Sequence, residues 1–263
     1  SLTDLVMARG SLNAFTENIS LLTQEGGQES VVEKIRAIVR EACSHLLSLV
    51  RQGPVHLRLP QLGSERARDL ISNWDDIPAT QFLPLGNRHL NRAMLEGISE
   101  SCAPEDRSRV RIFAGGITGL VEFEAFRFGV QNDAGLAAGL LVQNAILLTR
   151  IADIRATGTT IWLDPNEIIR TACGYPMHVM QMPSVLDAYC EQGLARANPF
   201  REPPDFIANN LERIGSHTND EVGILGAGNI DGQFLSLLHD VGYRRFSSSP
   251  GAADILRIKL ARA

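Results

Sequence analysis

The chain has 263 residues, of which 44% are hydrophobic and 21% charged, with both signs interspersed. That is enough to bury a sizeable core in one large domain or two small ones. A formal net charge of −5 excludes the basic footprint of a nucleic-acid or membrane-surface binder and mainly favours solubility.

No apolar run reaches transmembrane length, and no signal peptide is visible. Cys43, Cys102, Cys173 and Cys190 are scattered without a C-x-x-C pair, which reads as the reduced thiols of a cytoplasmic protein. The six histidines are equally dispersed, so no zinc-type spacing arises.

In chain order, apolar strand-like sequence begins almost at once, over 4–8, as expected of a piece excised from a longer polypeptide. A helix is predicted over 30–51. There Val31, Ile35, Ile38, Val39, Ala42, Leu46 and Leu49 repeat with helical period, and Glu33, Lys34, Arg36 and Arg40 supply a wet face. Strand 55–59, helix 66–73 and strand 81–85 follow, the last weakened by Pro84. Helix 89–101, strand 110–114, helix 121–130, strand 139–143 and helix 145–154 continue the alternation. Then come strand 159–163, a helix starting near Asn166, helices 184–192 and 204–214, strand 222–225, helix 232–241, strand 245–248 and helix 252–261. Most strands are continuous apolar runs, as in parallel sheets buried on both faces.

Eight strands alternating with helices over about 250 residues predict an α/β chain, a single (β/α)8 TIM barrel spanning 1–263. The alternative is a doubly wound sheet, which uses the same alternation. In a barrel the active site lies at the C-terminal strand ends. Those ends carry Arg9, Arg58, Arg88, Gly115-Gly116, Gln143-Asn144, Asp164 to Glu167, Gly226 to Asn229 and Ser247 to Ser249. Arginine forks suit phosphate and carboxylate oxygens. The expected ligand is a small, multiply charged anion, with a metal as a further option.

The turn from Gly226 to Asp231 nearly spells the dinucleotide fingerprint G-x-G-x-x-G between a strand and a helix. Asp231 stands at the third glycine position, no acid ends the next strand, and too few residues follow to complete a nucleotide-binding sheet. A nicotinamide-dependent oxidoreductase is therefore the weaker reading of this turn.

The segment VGILGAGNIDGQFLSLLHDVGYRRFSSSPGAADILRIKLAR resembles the end of the phosphoenolpyruvate-utilising barrel of pyruvate phosphate dikinase, phosphoenolpyruvate synthase and enzyme I of the sugar phosphotransferase system. In that family the seventh strand ends in V-x-x-C-G-E, an Asp follows, and the eighth strand ends in S-x-S-P. Gly226, Asp231 and Ser247-Ser-Ser-Pro250 match. Weaker likeness runs upstream. Leu5 to Arg9 is similar to G-L-x-R-T-E, Gly53 to Arg58 to P-V-x-x-R, and Leu83 to Arg88 to N-P-x-L-G-x-R. Val110-Arg-Ile-Phe falls on R-I-M-x-P, Leu141-Val-Gln143 on M-x-E, and Trp162 to Glu167 on F-G-T-N-D.

The resemblance implies that Arg9, Arg58 and Arg88 grip the phosphate and carboxylate of phosphoenolpyruvate, and that Asn166 touches the phosphoryl group. It assigns Mg²⁺ to the positions of Gln143 and Glu167, with Asp164 able to restore the charge that Gln143 lacks. Asn229 lies in the altered seventh-strand turn and is grouped with the substrate contacts. The partners implied are a small anionic substrate and a phosphohistidine or nucleotide-binding domain of the same longer protein. A homodimer is a further expectation.

The sequence departs from the family where chemistry is done. Leu225 stands where a cysteine moves a proton, Ala227 where a Glu follows it, and the position near Met177 lacks an arginine. Three functions therefore stay open: a divergent phosphotransferase-type barrel, a catalytically inactive barrel used for anion binding or domain interaction, and an enzyme retuned to another phosphorylated or 2-oxo acid. Each polar residue also has a structural reading. The arginines can form rim ion pairs, Gln143 a structural hydrogen bond, and Asp164 and Glu167 a helix cap. Cys173 can be a buried inert thiol, and Ser247 to Ser249 a plain strand end.

Overall fold

A computed structural model describes residues 28–50, 54–59, 88–151, 154, 158–175, 183–216, 222–248 and 250–261. The predicted strands over 4–8 and 81–85 and the helix over 66–73 lie outside the described residues, as do Arg9 and His178. The chain divides into two compact units: residues 1–117 with 121–139, and residues 118–120 with 140–263.

In the first unit, α1 (Gln28–Leu49) precedes β1 (Val55–Leu59), α2 (Arg88–Ser101) precedes β2 (Val110–Ala114), and α3 (Leu120–Ala134) precedes the short β3 (Ala137–Ala138). All pairing is parallel, in the order β1-β2-β3, with Val55 opposite Val110 and Arg111 opposite Ala137. Helix α1 buries Val39, Cys43 and Leu47, one residue per turn, so a single stripe faces inward.

That stripe meets α2 at Gly97, where an added Cβ would stand 2.6 Å from the Arg36 carbonyl oxygen and 3.3 Å from Val39 Cβ. Arg36 pairs with Glu96 and Glu100, and Arg40 with Glu100. Contacts that advance together along both helices mean that the two run parallel, as successive helices in front of parallel strands must. In β1, Val55 and Leu57 are buried, His56 is half-buried and Arg58 exposed. His56 tilts against Phe113, with ring centroids 5.2 Å apart.

In the second unit, β4 (Leu140–Val142), β5 (Ile161–Leu163), β6 (Val222–Ile224) and β7 (Arg245–Phe246) form a parallel sheet in chain order. Around them lie α4 (Ala145–Thr149), α5 (Pro165–Cys173), α6 (Pro183–Glu191), α7 (Asp205–Gly215), α8 (Gly232–Asp240) and α9 (Ala253–Ala261). Leu140, Val142, Ile161, Leu163, Val222 and Ile224 are all buried, as continuous apolar strands require. Tyr243 is fully buried, and its hydroxyl donates to the Leu211 carbonyl at 2.9 Å, tying the chain after α8 to α7.

The chain is thus mixed α/β with parallel sheets. Neither sheet closes on itself among the described residues. The predicted strand over 139–143 is shorter at both ends: the Gly139 amide donates to the Ile112 carbonyl at 2.8 Å in the first sheet, and the Leu140 amide to the Thr160 carbonyl at 2.9 Å in the second. Among the described residues, no helix is long and apolar enough to cross a membrane.

Candidate functional site

The site is built at the C-terminal edge of the β4-β5-β6-β7 sheet. Leu141, Trp162, Gly223 and Arg245 form one row across the four strands, and Val142, Leu163, Ile224 and Phe246 the next. The backbone ladder runs one rung further. The amides of Asp164, Leu225 and Ser247 donate to the carbonyls of Val142, Leu163 and Ile224 at 3.0, 2.7 and 2.8 Å. Gln143, Asp164, Leu225 and Ser247 are therefore the residues with which the four strands end.

Below that edge, the Arg245 guanidinium lies 5.3 Å from the Trp162 ring centre, a cation–π contact across two strands. It is possible because Gly223 stands between them. An added Cβ there would be 2.5 Å from the indole. Sequence reading missed this row, although a tryptophan in β5 and a glycine in an otherwise apolar β6 were its visible signal.

Asp164 caps α5. Its Oδ1 accepts from the Glu167 amide at 3.2 Å, Pro165 opens the helix, and Gly174 closes it in the left-handed conformation. Its Oδ2 faces Gln143 Nε2 at 3.4 Å, so residues from two strands meet. Thr171 Oγ1 stands 3.1 Å from the Gln143 carbonyl oxygen and ties α5 to the end of β4. Asn144 caps α4 by accepting from the Leu147 amide at 2.9 Å.

Glu167 is bound to Arg170, one turn along α5. Arg170 Nε lies 3.0 Å from each Glu167 carboxylate oxygen, and Nη2 donates to Oε1. Arg170 Nη1 donates to the Tyr175 carbonyl at 2.9 Å, which holds the guanidinium from its other side. The side chains are only 20% and 13% exposed, Arg170 and Glu167 respectively. The hydrogen bond to Glu167 holds the Arg170 guanidinium above its ordinary pKa, and the charges of Glu167 and Asp164 add to the effect. Arg170 was not among the residues singled out from sequence, though Glu-x-x-Arg is the spacing of a helical ion pair.

These contacts bear on the Mg²⁺ that the resemblance implies. Mg²⁺ requires near-octahedral oxygen donors. Here both Glu167 oxygens face a guanidinium, and Gln143 presents its NH₂ to Asp164. Among the described residues, no group of three or more His, Cys, Asp and Glu side chains stands together to hold a metal. As arranged, the three residues do not fit a Mg²⁺ ion.

The turn after β6 is also committed internally. Gly226 is left-handed, with φ 70°, and leads into the 3-10 turn Ala227–Asn229. The Ala227 amide donates to the Ser247 carbonyl at 2.8 Å, and Asp231 caps α8 by accepting from the Gln233 amide at 2.9 Å. A Cβ on Gly228 would lie 2.5 Å from Ser248 Oγ and 2.6 Å from Ala252 Cβ. Gly228 is thus small for the sake of the chain that covers it, whereas a dinucleotide cradle uses that glycine to admit a pyrophosphate.

The remaining predicted residues lie as follows. Asn166 is half-buried in the first turn of α5, and Asn229 ends the 3-10 turn. Arg58, in the first unit, is exposed one residue before the end of β1, and Arg88 opens α2. Cys173 is exposed at the end of α5, and partial burial pushes its thiol pKa up, the wrong direction for a nucleophile. Compared with protein-family models and with curated proteins, the chain matches none.

Proposed function

We propose that the chain is a divergent (β/α)8 barrel of the phosphoenolpyruvate-utilising type that binds a small phosphorylated or 2-oxo acid anion at its strand ends. The observation that carries this reading is the common edge formed by Gln143, Asp164, Leu225 and Ser247, each the next residue after its strand. Gln143 and Leu225 are positions to which the family resemblance assigns a metal ligand and the proton-moving cysteine, and all four residues follow parallel strands in chain order.

Arg9, Arg58 and Arg88 supply the charge in this reading, gripping phosphate and carboxylate oxygens through paired N–H donors. Asn166 and Asn229 add neutral contacts. In the phosphotransferase form of the reading, the phosphoryl group passes from the enol oxygen of phosphoenolpyruvate to a histidine nitrogen on another domain of a longer protein. The enolate left behind takes a proton on carbon to become pyruvate. Leu225 has no proton to give, so that proton comes from elsewhere.

Leu225 is also the observation that favours a second reading, in which the barrel binds an anion or a partner domain and does no chemistry. Calorimetric titration with phosphoenolpyruvate and pyruvate, followed by a phosphoryl-transfer assay, separates the two. The expected result is saturable heat with phosphoenolpyruvate, weakened at least ~10-fold by Arg58→Ala, the scale of one lost charge-assisted hydrogen bond. Saturable binding without transfer selects the second reading. If neither anion produces heat, the proposal fails.

A further inference from the structure

We infer that Arg170 is the resident counter-cation of this strand edge, so that ligand binding there is independent of divalent metal. The inference rests on the proposal that the edge is the ligand site.

Asp164 and Glu167 bring two carboxylates into one turn of α5, both only partly exposed. Carboxylates withdrawn from water need positive charge or hydrogen-bond donors nearby. A divalent ion is one solution, and this chain contains another. The Arg170 guanidinium lies against both oxygens of Glu167 and is anchored behind by the Tyr175 carbonyl, so it is held at both ends. Asp164 is served by the Glu167 amide and by Gln143 Nε2. Every contact named here to Asp164 or Glu167 presents an N–H to a carboxylate oxygen, whereas a metal ion needs oxygens turned towards a common centre.

The charge balance agrees. Two carboxylates against one guanidinium leave −1, and the N-terminus of α5 offsets about half of that. A third carboxylate at position 143 would have made a dication necessary, and Gln143 removes that need.

The test uses the full chain and Mn²⁺ as the probe, with bound metal counted by electron paramagnetic resonance. The wild type is expected to bind no Mn²⁺ at millimolar concentration, and Arg170→Gln to acquire a site at least ten times tighter. Phosphoenolpyruvate titrations in EDTA and in Mg²⁺ are expected to agree within twofold. Stoichiometric Mn²⁺ binding by the wild type, abolished by Glu167→Gln, would overturn the inference. So would a tenfold gain in phosphoenolpyruvate affinity with Mg²⁺. A folded Arg170→Gln protein that still binds no Mn²⁺ removes Arg170 from this role. Should Arg170→Gln fail to fold, the wild-type Mn²⁺ measurement decides alone. Absence of phosphoenolpyruvate binding in both buffers refutes the proposed function, while the Mn²⁺ result still judges this inference.

Discussion

At the scale of single residues, the second unit depends on what its glycines leave out. Gly223 has no side chain because Trp162 lies across it to reach Arg245. A methyl group there would meet three ring carbons between 2.5 and 2.9 Å away. Gly223→Ala is therefore expected to destabilise the fold by about 1–3 kcal/mol, the usual cost of overpacking. It should also displace the indole, read as a lower denaturation midpoint with a changed tryptophan emission maximum. An unchanged midpoint and spectrum would mean that the sheet absorbs the methyl group without moving Trp162. At the same scale, Asp164 and Glu167 were legible from sequence as acids at a helix start. Their use was not, because a cap and a metal ligand share one residue type and one position. What separates the two uses is the Gln143 amide arriving from a neighbouring strand and the Arg170 fork arriving from the next turn.

At the scale of elements, hydrophobic period carried most of the information. The strands over 55–59 and 110–114 were predicted at their observed bounds, since VHLRL and VRIFA place apolar residues at every second position. The edges were less legible. Strand 245–248 shortens to Arg245–Phe246 although Ser247 still bonds to Ile224, because a ladder ends gradually while a boundary must be drawn at one residue. The closeness of α1 and α2 was not readable, since it turns on the backbone approach at Gly97 beside the Arg36 and Arg40 ion pairs. Gly97→Ala is expected to lower stability by about 1–3 kcal/mol, because its Cβ meets the Arg36 carbonyl, backbone that cannot rotate away. Chemical denaturation followed by circular dichroism checks this. No loss of stability would show that the two helices can separate slightly without cost.

At the scale of the whole molecule, pH acts through groups in both units. Burial pushes the Cys43 thiol up to about 12, with the nearby Cys102 adding to the effect. The unfolded thiol ionises from about 8.5, so above that range the unfolded state holds fewer protons than the folded one. Stability is then fully present below the ordinary thiol range and is lost as pH rises towards the folded value, at up to about 1.4 kcal/mol per pH unit. Urea melts across the alkaline range should show this slope reduced in Cys43→Ala. Equal slopes would assign the alkaline loss to other groups. On the acid side the sign reverses. The Arg36 hydrogen bond holds Glu100 below its ordinary pKa, and Asn198 and then Arg201 do the same for Asp187. Their stabilisation is present above the ordinary carboxylate range and fades as pH falls through the lowered folded values.

The sequence by itself determined the α/β alternation and the apolar strands of parallel sheets. Each of these follows from short-range period and from where an apolar run stops. Only the tertiary structure decided what meets at the strand ends from different segments: Asp164 and Gln143 across neighbouring strands, and Gly228 beneath Ser248. Period reports whether a side chain is buried, while the partner of a buried charge depends on which segments meet in space. Glu167 meets its cation one turn along its own helix, whereas Asp164 meets Gln143 because β4 and β5 are neighbours.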